Sequence, residues 1–309
     1  MVPAGKLCLM RVWGGIFFVA VLAVACTDKG SGKASPDDPV VTIREGGTER
    51  PAELVFSVTP YLPEAELRAR YLPLAEYVGK KVGVPVRWKT VESYDGMVRA
   101  LAQYEVHIAV LSPFNYVTAK RENPSIILLA VPVAGGATTY SGYIFTREDS
   151  TVESIADLKG KHFGFVDRQS ASGYLYPLVY LRAQGYEPEH FGKVSFVGNH
   201  TRLVDMLLAG EIDAGASYAI AISRPDGKQL RILAKTGRIP LDPWCASPRL
   251  DQGLVDAIRE ALVGLNTRTK EGRRILTETE TNGFRFLGDD HYDDVRRVFR
   301  LVGGEGANK

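Results

Sequence analysis

The sequence predicts an α/β fold with mostly parallel sheets, divided between two lobes, on three observations. Short apolar strands alternate with amphipathic helices from residue 53 onward. The alternation runs in two series, one on each side of residue 140. The stretch that carries them is long enough for one large or two smaller domains.

The first series opens with a strand at 54–58. A helix at 64–82 follows, with Leu67, Tyr71, Leu74, Ala75, Val78 and Val82 on one face. Next come a strand at 84–88, a helix at 94–103 and a strand at 106–111. Beyond Ser112-Pro113 lie another helix and the apolar run 126–133. The second series has strands at 162–166, 194–197, 212–216 and 230–234, with helices at 173–184 and 201–209 between them. A Pro-rich segment, Ile239-Pro-Leu-Asp-Pro243, leads to closing helices, among them 250–265 with Leu250, Leu254, Ile258 and Leu262 in register. No helical or tandem repeat is present.

Upstream of this body, residues 1–25 carry Lys6 and Arg11 and no acid, followed by an apolar run, 12–25, too short for a comfortable membrane span. It ends Leu22-Ala23-Val24-Ala25-Cys26, which resembles the lipobox of bacterial lipoproteins, with Ala23 where Leu is more usual. Residues 1–25 are therefore expected to be a lipoprotein signal peptide and Cys26 the lipidation site. The protein is then exported and lipid-anchored at the cell envelope. It would lie on the periplasmic face in a Gram-negative cell and on the outer face of the plasma membrane in a Gram-positive one. Residues 26–52, rich in Gly, Ser, Pro, Asp and Lys, read as a flexible tether with a reach of roughly 25–30 Å.

The full chain of 309 residues has 38 basic and 36 acidic residues; without Lys6 and Arg11 the counts are 36 and 36. A neutral mature body gives no reason to expect nucleic acid or an anionic membrane as partner. Cys8 lies in the signal and Cys26 at the anchor. Cys245 is left alone, which excludes a disulfide framework and a cysteine-rich metal site. No P-loop, dinucleotide fingerprint, zinc-protease motif or Gly-x-Ser-x-Gly elbow occurs, so neither a cofactor nor a metal is expected. A triad of Ser172, His200 and Asp242 has neither the order nor the setting of a hydrolase. The chain is read as a non-enzyme.

A set of short motifs in fixed order carries a resemblance. They are Tyr71-Leu-Pro-Leu-Ala75, Tyr94-Asp-Gly-Met97, His107-Ile-Ala109 with Ser112-Pro-Phe-Asn-Tyr116, and Asp157-Leu-Lys-Gly-Lys161 with Phe165-Val-Asp167 and Ser170-Ala-Ser-Gly-Tyr174. Gly198-Asn-His200, Gly210-Glu-Ile-Asp-Ala-Gly215 and the 239–243 segment complete the set. From about residue 54 to about 270 the chain resembles the phosphonate/phosphite/phosphate substrate-binding proteins of ABC importers.

That resemblance implies a two-lobed periplasmic binding protein fold, type II-like, with a two-strand hinge. Lobe 1 would take 54–140 plus 239–309 and lobe 2 would take 141–238, with crossings near Tyr140 and Pro240. It implies capture of a phosphite, phosphate or small alkylphosphonate by a monomer, and delivery to an ABC permease and ATPase complex. Two other outputs fit the same fold: a lipoprotein presenting a small anion to a membrane histidine kinase, and a receptor for another small organic anion.

The site residues implied are Ser170, Ala171, Ser172 and Gly173 at a helix start, whose free N–H groups suit a tetrahedral oxyanion. Ser170 or Ser172 would also serve as an ordinary cap. Ala171 stands where the family has Thr, so one hydroxyl donor is lost. His200 would donate to an anionic oxygen, more strongly if protonated. Asp242 would accept a hydrogen bond from a protonated ligand oxygen and select ligands that keep a proton. Tyr94 and Tyr140 would offer hydroxyls, and Ser112 is a weaker candidate. Asp213 reads as structural. The segment Ser217-Tyr-Ala-Ile-Ala-Ile222 has no acid to pair with an ammonium, which argues against aminoethylphosphonate; Tyr218 and Ile220 would wall off the other end.

Overall fold

The computed structural model describes residues 47–303, and the expected signal peptide, Cys26 and most of the tether lie outside them. The strands and helices run in chain order as follows. β1 (Leu54–Val58), α1 (Glu64–Val82), β2 (Val86–Trp88), α2 (Tyr94–Ala102), β3 (Ile108–Val110), α3 (Pro113–Glu122) and β4 (Ile127–Val133) precede β5 (Thr139–Arg147). β6 (His162–Phe165) is followed by a π turn, Ala171–Leu175, that runs into α4 (Tyr176–Ala183). Then come β7 (Lys193–Phe196), α5 (His200–Leu208), β8 (Ala214–Tyr218), α6 (Ile220–Ser223) and β9 (Leu230–Pro240). β10 (Trp244–Ala246), α7 (Gln252–Gly264), α8 (Lys270–Leu276), β11 (Gly283–Arg285) and α9 (Asp293–Leu301) close the chain.

The strands form two sheets, ordered β11-β4-β10-β3-β1-β2 and β7-β6-β8-β5-β9. Both are mixed, which corrects the expectation of mostly parallel sheets. β1 pairs in parallel with β2 and β3, and β6 with β7 and β8; the other pairs are antiparallel. The reason is topological. Parallel neighbours come from the β-α-β units, whereas β5, β9 and β10 return between the sheets without a crossover helix. The chain passes from the first sheet to the second between β4 and β5, and back between β9 and β10. β9 is longer than the expected 230–234 strand because the Pro-rich segment continues it: Thr139 pairs with Pro240 and Tyr140 with Ile239.

Helix starts follow local chemistry. Ser93, Ser112, Asn199, Asp251 and Thr269 each accept a backbone N–H of the first turn of the helix that follows. α1 has Glu64 and Glu66 in its first turn and Lys80 and Lys81 in its last, matching the helix dipole. β1 is buried along its whole length because helices cover both sheet faces. On one face α1 and α7 pack on Phe56 and Trp244, whose rings lie 5.1 Å apart; on the other, α2, α3 and α9 pack around Leu111, Tyr116 and Tyr292. Ala171, Leu175 and Tyr176 belong to that second cluster, so the π turn of one half is seated in the core of the other. Near the N-terminal limit of the described residues, Glu49 donates its N–H to Arg249 O, and Asp251 donates to Glu49 O. The end of the expected tether thus lies along the start of α7.

Candidate functional site

A cavity of about 420 Å³ lies between the two sheets. It opens at the carboxyl ends of β1, β3, β6 and β8, where open α/β sheets place their ligands. Hydrogen bonds join the two halves beside the cleft. His200 N–H donates to Tyr61 O (2.9 Å), Ser112 Oγ to Gln169 O (3.1 Å), and Asn115 Nδ2 to Gln169 Oε1.

Ser170, Ala171, Ser172, His200, Asp242, Tyr94, Tyr140 and Ser112 all line this cavity, although they come from places up to 148 positions apart in the chain. Gly173 does not line it. Its N–H is bonded to Ser170 Oγ (3.0 Å), and a Cβ there would lie 2.5 Å from Val166 Cβ. Glycine is needed for the turn to sit against the end of β6, a packing task in place of the expected ligand contact. Gly142 of β5 serves a similar approach: a Cβ would come within 2.6 Å of Thr236 Oγ1 and 3.3 Å of Ser172 O.

At the π turn, Ser170 Oγ accepts the Gly173 N–H, and its hydroxyl is within hydrogen-bonding reach of the Tyr94 hydroxyl. The N–H groups of Ala171 and Ser172 stand in the first turn, without intrahelical acceptors. The hydroxyls of Tyr94 and Tyr140 neighbour Ser170 and Ser172. Ser112 is a poorer donor than expected, because its hydroxyl already donates to Gln169 O and accepts from Asn115 N. It latches the halves.

Burial controls the protonation states. The hydroxyls of Tyr61, Tyr71, Tyr94, Tyr140 and Tyr218 are all pushed up by desolvation, so each remains a donor at physiological pH. His200 is not in the protonated form that would strengthen its donation. Desolvation lowers its pKa to about 3, its Nδ1 is paired with Ser217 Oγ (2.8 Å), and the ring is neutral. Asp242 lines the cavity, and desolvation raises its pKa to about 7. The carboxyl group therefore takes and gives a proton near neutrality.

Sequence reasoning missed Tyr61, Arg70, Tyr71, Tyr143 and Glu280, which also line the cavity. The Tyr61 hydroxyl pairs with that of Tyr71 at 2.8 Å. Tyr61 follows β1 closely, and the strand-end rule was the available signal for it. Arg70 and Glu280 offered none, being one charge on an amphipathic helix and one in a polar turn. Glu280 weakens the argument against an ammonium drawn from residues 217–222, because it supplies an acid from elsewhere in the chain. Tyr218 does form part of the wall, whereas Ile220 turns to an adjoining groove and packs near the α1 core. Asp213 accepts the His162 N–H at 2.8 Å and donates its own N–H to His162 O, both structural tasks. Cys245 is buried in β10. Among the described residues no cluster of three or more His, Cys, Asp or Glu side chains is arranged to hold a metal ion.

A family profile described as "ABC transporter, phosphonate, periplasmic substrate-binding protein" matches residues 56–292. The chain belongs to that family, and its class is that of a binding component of an ABC importer. It is 28% identical over 312 residues to the phosphate-import protein PhnD of Mycolicibacterium smegmatis, covering 93% of this chain and 94% of that one. It is 22% identical to the phosphonates-binding periplasmic protein of Escherichia coli, covering 84% and 80% of the two chains. PhnD1 of Prochlorococcus marinus, solved in complex with methylphosphonate, superposes with a TM-score of 0.76 at 20% identity, over 82% of this chain and 99% of that one.

Proposed function

We propose that this protein captures a phosphite, phosphate or small alkylphosphonate in the cavity and hands it to an ABC permease. One observation carries the reading. Hydroxyl and N–H donors converge at residues 170–172 opposite a carboxyl group, Asp242, that is poised to hold a proton. The oxyanion sits against the Ala171 and Ser172 N–H groups and the Ser170 and Ser172 hydroxyls. Tyr94, Tyr140 and neutral His200 complete its shell; with Ser217 donating to Nδ1, His200 presents Nε2–H. Asp242 shares one proton with the ligand, so no cation is needed at this end.

Residues 54–140 and 239–309 act as one lobe and 141–238 as the other. Ligand contacts made by both favour the closed form that the permease recognises. A lipid on Cys26 keeps the monomer near the membrane. The binding partners of PhnD and PhnD1, as their names state them, support this choice of ligand.

Isothermal calorimetry against phosphite, phosphate, methylphosphonate and aminoethylphosphonate tests it. Binding of one of the first three, weakened about tenfold or more in Ser172→Ala, upholds the reading. Silence from all of them in folded, ligand-free protein sinks it.

A further inference from the structure

The end of the cavity away from residues 170–172 has a composition that a bare oxyanion does not use. We infer that it is a second recognition site, for a zwitterionic tail on the ligand's carbon chain, in which Arg70 takes a carboxylate and Glu280 an ammonium. This inference rests on the reading of residues 170–172 as the oxyanion end.

Size is the first support. A cavity of about 420 Å³ falls within the range of roughly 300–1,000 Å³ typical of clefts that bury whole organic ligands. A tetrahedral oxyanion with one methyl group leaves much of that space to water.

Charge is the second. Arg70 is the only Lys or Arg among the described residues of the wall, and it is half-buried. Among the described residues it has no ion-pair partner, and no neighbour accepts a hydrogen bond from it. Burial opposes its charge, and the Glu280 carboxylate is among the neighbours that favour it. A guanidinium offers a planar fork of donors that fits a carboxylate in bidentate fashion.

Glu280 lines the same wall, reaching it from the turn after α8, and the two residues also share the adjoining groove. They are electrostatic neighbours but not an ion pair. Opposite charges held side by side match a tail carrying both charges in the reverse order. A tail with one charge compensates only half of the arrangement. Tyr61, Tyr71 and Tyr218 line the cavity beside Arg70, and their ring faces suit a short carbon chain.

The test is calorimetry of the full chain with phosphonoalanine, which carries both groups, phosphonoacetate, which carries only the carboxylate, aminoethylphosphonate and methylphosphonate. Phosphonoalanine should bind about tenfold or more tighter than methylphosphonate. Arg70→Gln and Glu280→Gln should each erase most of that gain and leave methylphosphonate within about twofold of the unmodified protein. If methylphosphonate binds as tightly as phosphonoalanine, the inference falls and the oxyanion reading stands. A single-charge tail that matches phosphonoalanine also overturns it, as does a gain that survives both substitutions. Loss of methylphosphonate binding in Arg70→Gln would assign Arg70 to the oxyanion instead. If none of the ligands binds, the oxyanion reading and the tail site fall together.

Discussion

At residues 170–172 the cavity wall is largely backbone. N–H groups at a helix start, two serine hydroxyls and the flanking phenols share the wall with a carboxyl group, and none of these groups carries a formal positive charge. At Arg70 and Glu280 the wall is long side chains, one of each sign, carried on elements far apart in sequence. The first arrangement is set by the fold and cannot rotate away from its ligand. The second is set by rotamers and can differ between relatives without disturbing the sheet. Conserved geometry for a common head group and variable chemistry for its substituent is the division such a contrast favours.

The comparison breaks most directly at Gly173. Gly173→Val would drive a side chain into Val166, where even a Cβ lies 2.5 Å from Val166 Cβ. Overpacking of this kind typically costs about 1–3 kcal/mol. We expect a lower thermal midpoint together with lost binding, read by calorimetric melting with and without ligand. An unshifted melt would show that the π turn is not fixed by its contact with β6.

Ser172→Ala tests the backbone end more gently. It removes a hydroxyl bonded to an anionic ligand, a contact of about 1.5–3 kcal/mol. The dissociation constant should rise by about tenfold or more at an unchanged melting temperature.

Asp242 sharpens the contrast through pH. Its folded pKa, about 7, is above the ordinary value of 3.8, so burial favours the protonated form. Stability is therefore highest below the ordinary value and is lost progressively as pH rises from about 4 to about 7. Binding of a fully ionised ligand should likewise weaken above about 7, by up to tenfold per pH unit, while Asp242 must take up the proton. Asp242→Asn should remove the protein's share of that slope, as titrations between pH 6 and 9 would show, those pH values being about one to two units either side of the folded pKa. An unchanged slope would mean that the ligand alone titrates.

The smallest expected effect is at the tyrosine wall. Tyr61→Phe removes a hydroxyl pair with Tyr71, and the loss should be about 0.5–1.5 kcal/mol in stability by denaturant unfolding. Binding of a small alkylphosphonate should change little.

These two ends also differ in how far they were legible. The Ser170–Tyr174 motif is contiguous; alone it reads as an ordinary helix cap, and the family resemblance is what marked residues 170–172 as an anion site before any coordinates. Asp242 was legible only through the family resemblance, to which the 239–243 segment contributes. The strands were readable from apolar runs, but their mixed pairing was not. Direction depends on how β5, β9 and β10 return between the sheets, which no local pattern encodes. Arg70 sits on an ordinary amphipathic helix, and its approach to Glu280, 210 positions away, exists only once α1 and α8 are packed. His200 shows a different limit: its position was readable, but its neutrality depends on complete enclosure and on Ser217.

The two strands through which the chain passes between the sheets are also paired with each other, from Thr139–Pro240 to Arg147–Leu230. The passage is therefore one two-stranded ribbon rather than two separate threads. A ribbon bends out of its plane and twists at little cost, but sliding one strand along the other would break several ladder bonds at about 0.5–1.5 kcal/mol each. The register irregularities between Ser141 and Tyr143, and between Ile144 and Phe145, are where it yields most easily. If the halves open and close as proposed, such a joint acts as a torsion bar with a single soft axis and confines them to one arc. Amide exchange in the ribbon should accordingly stay slow and nearly equal with the cavity filled or empty.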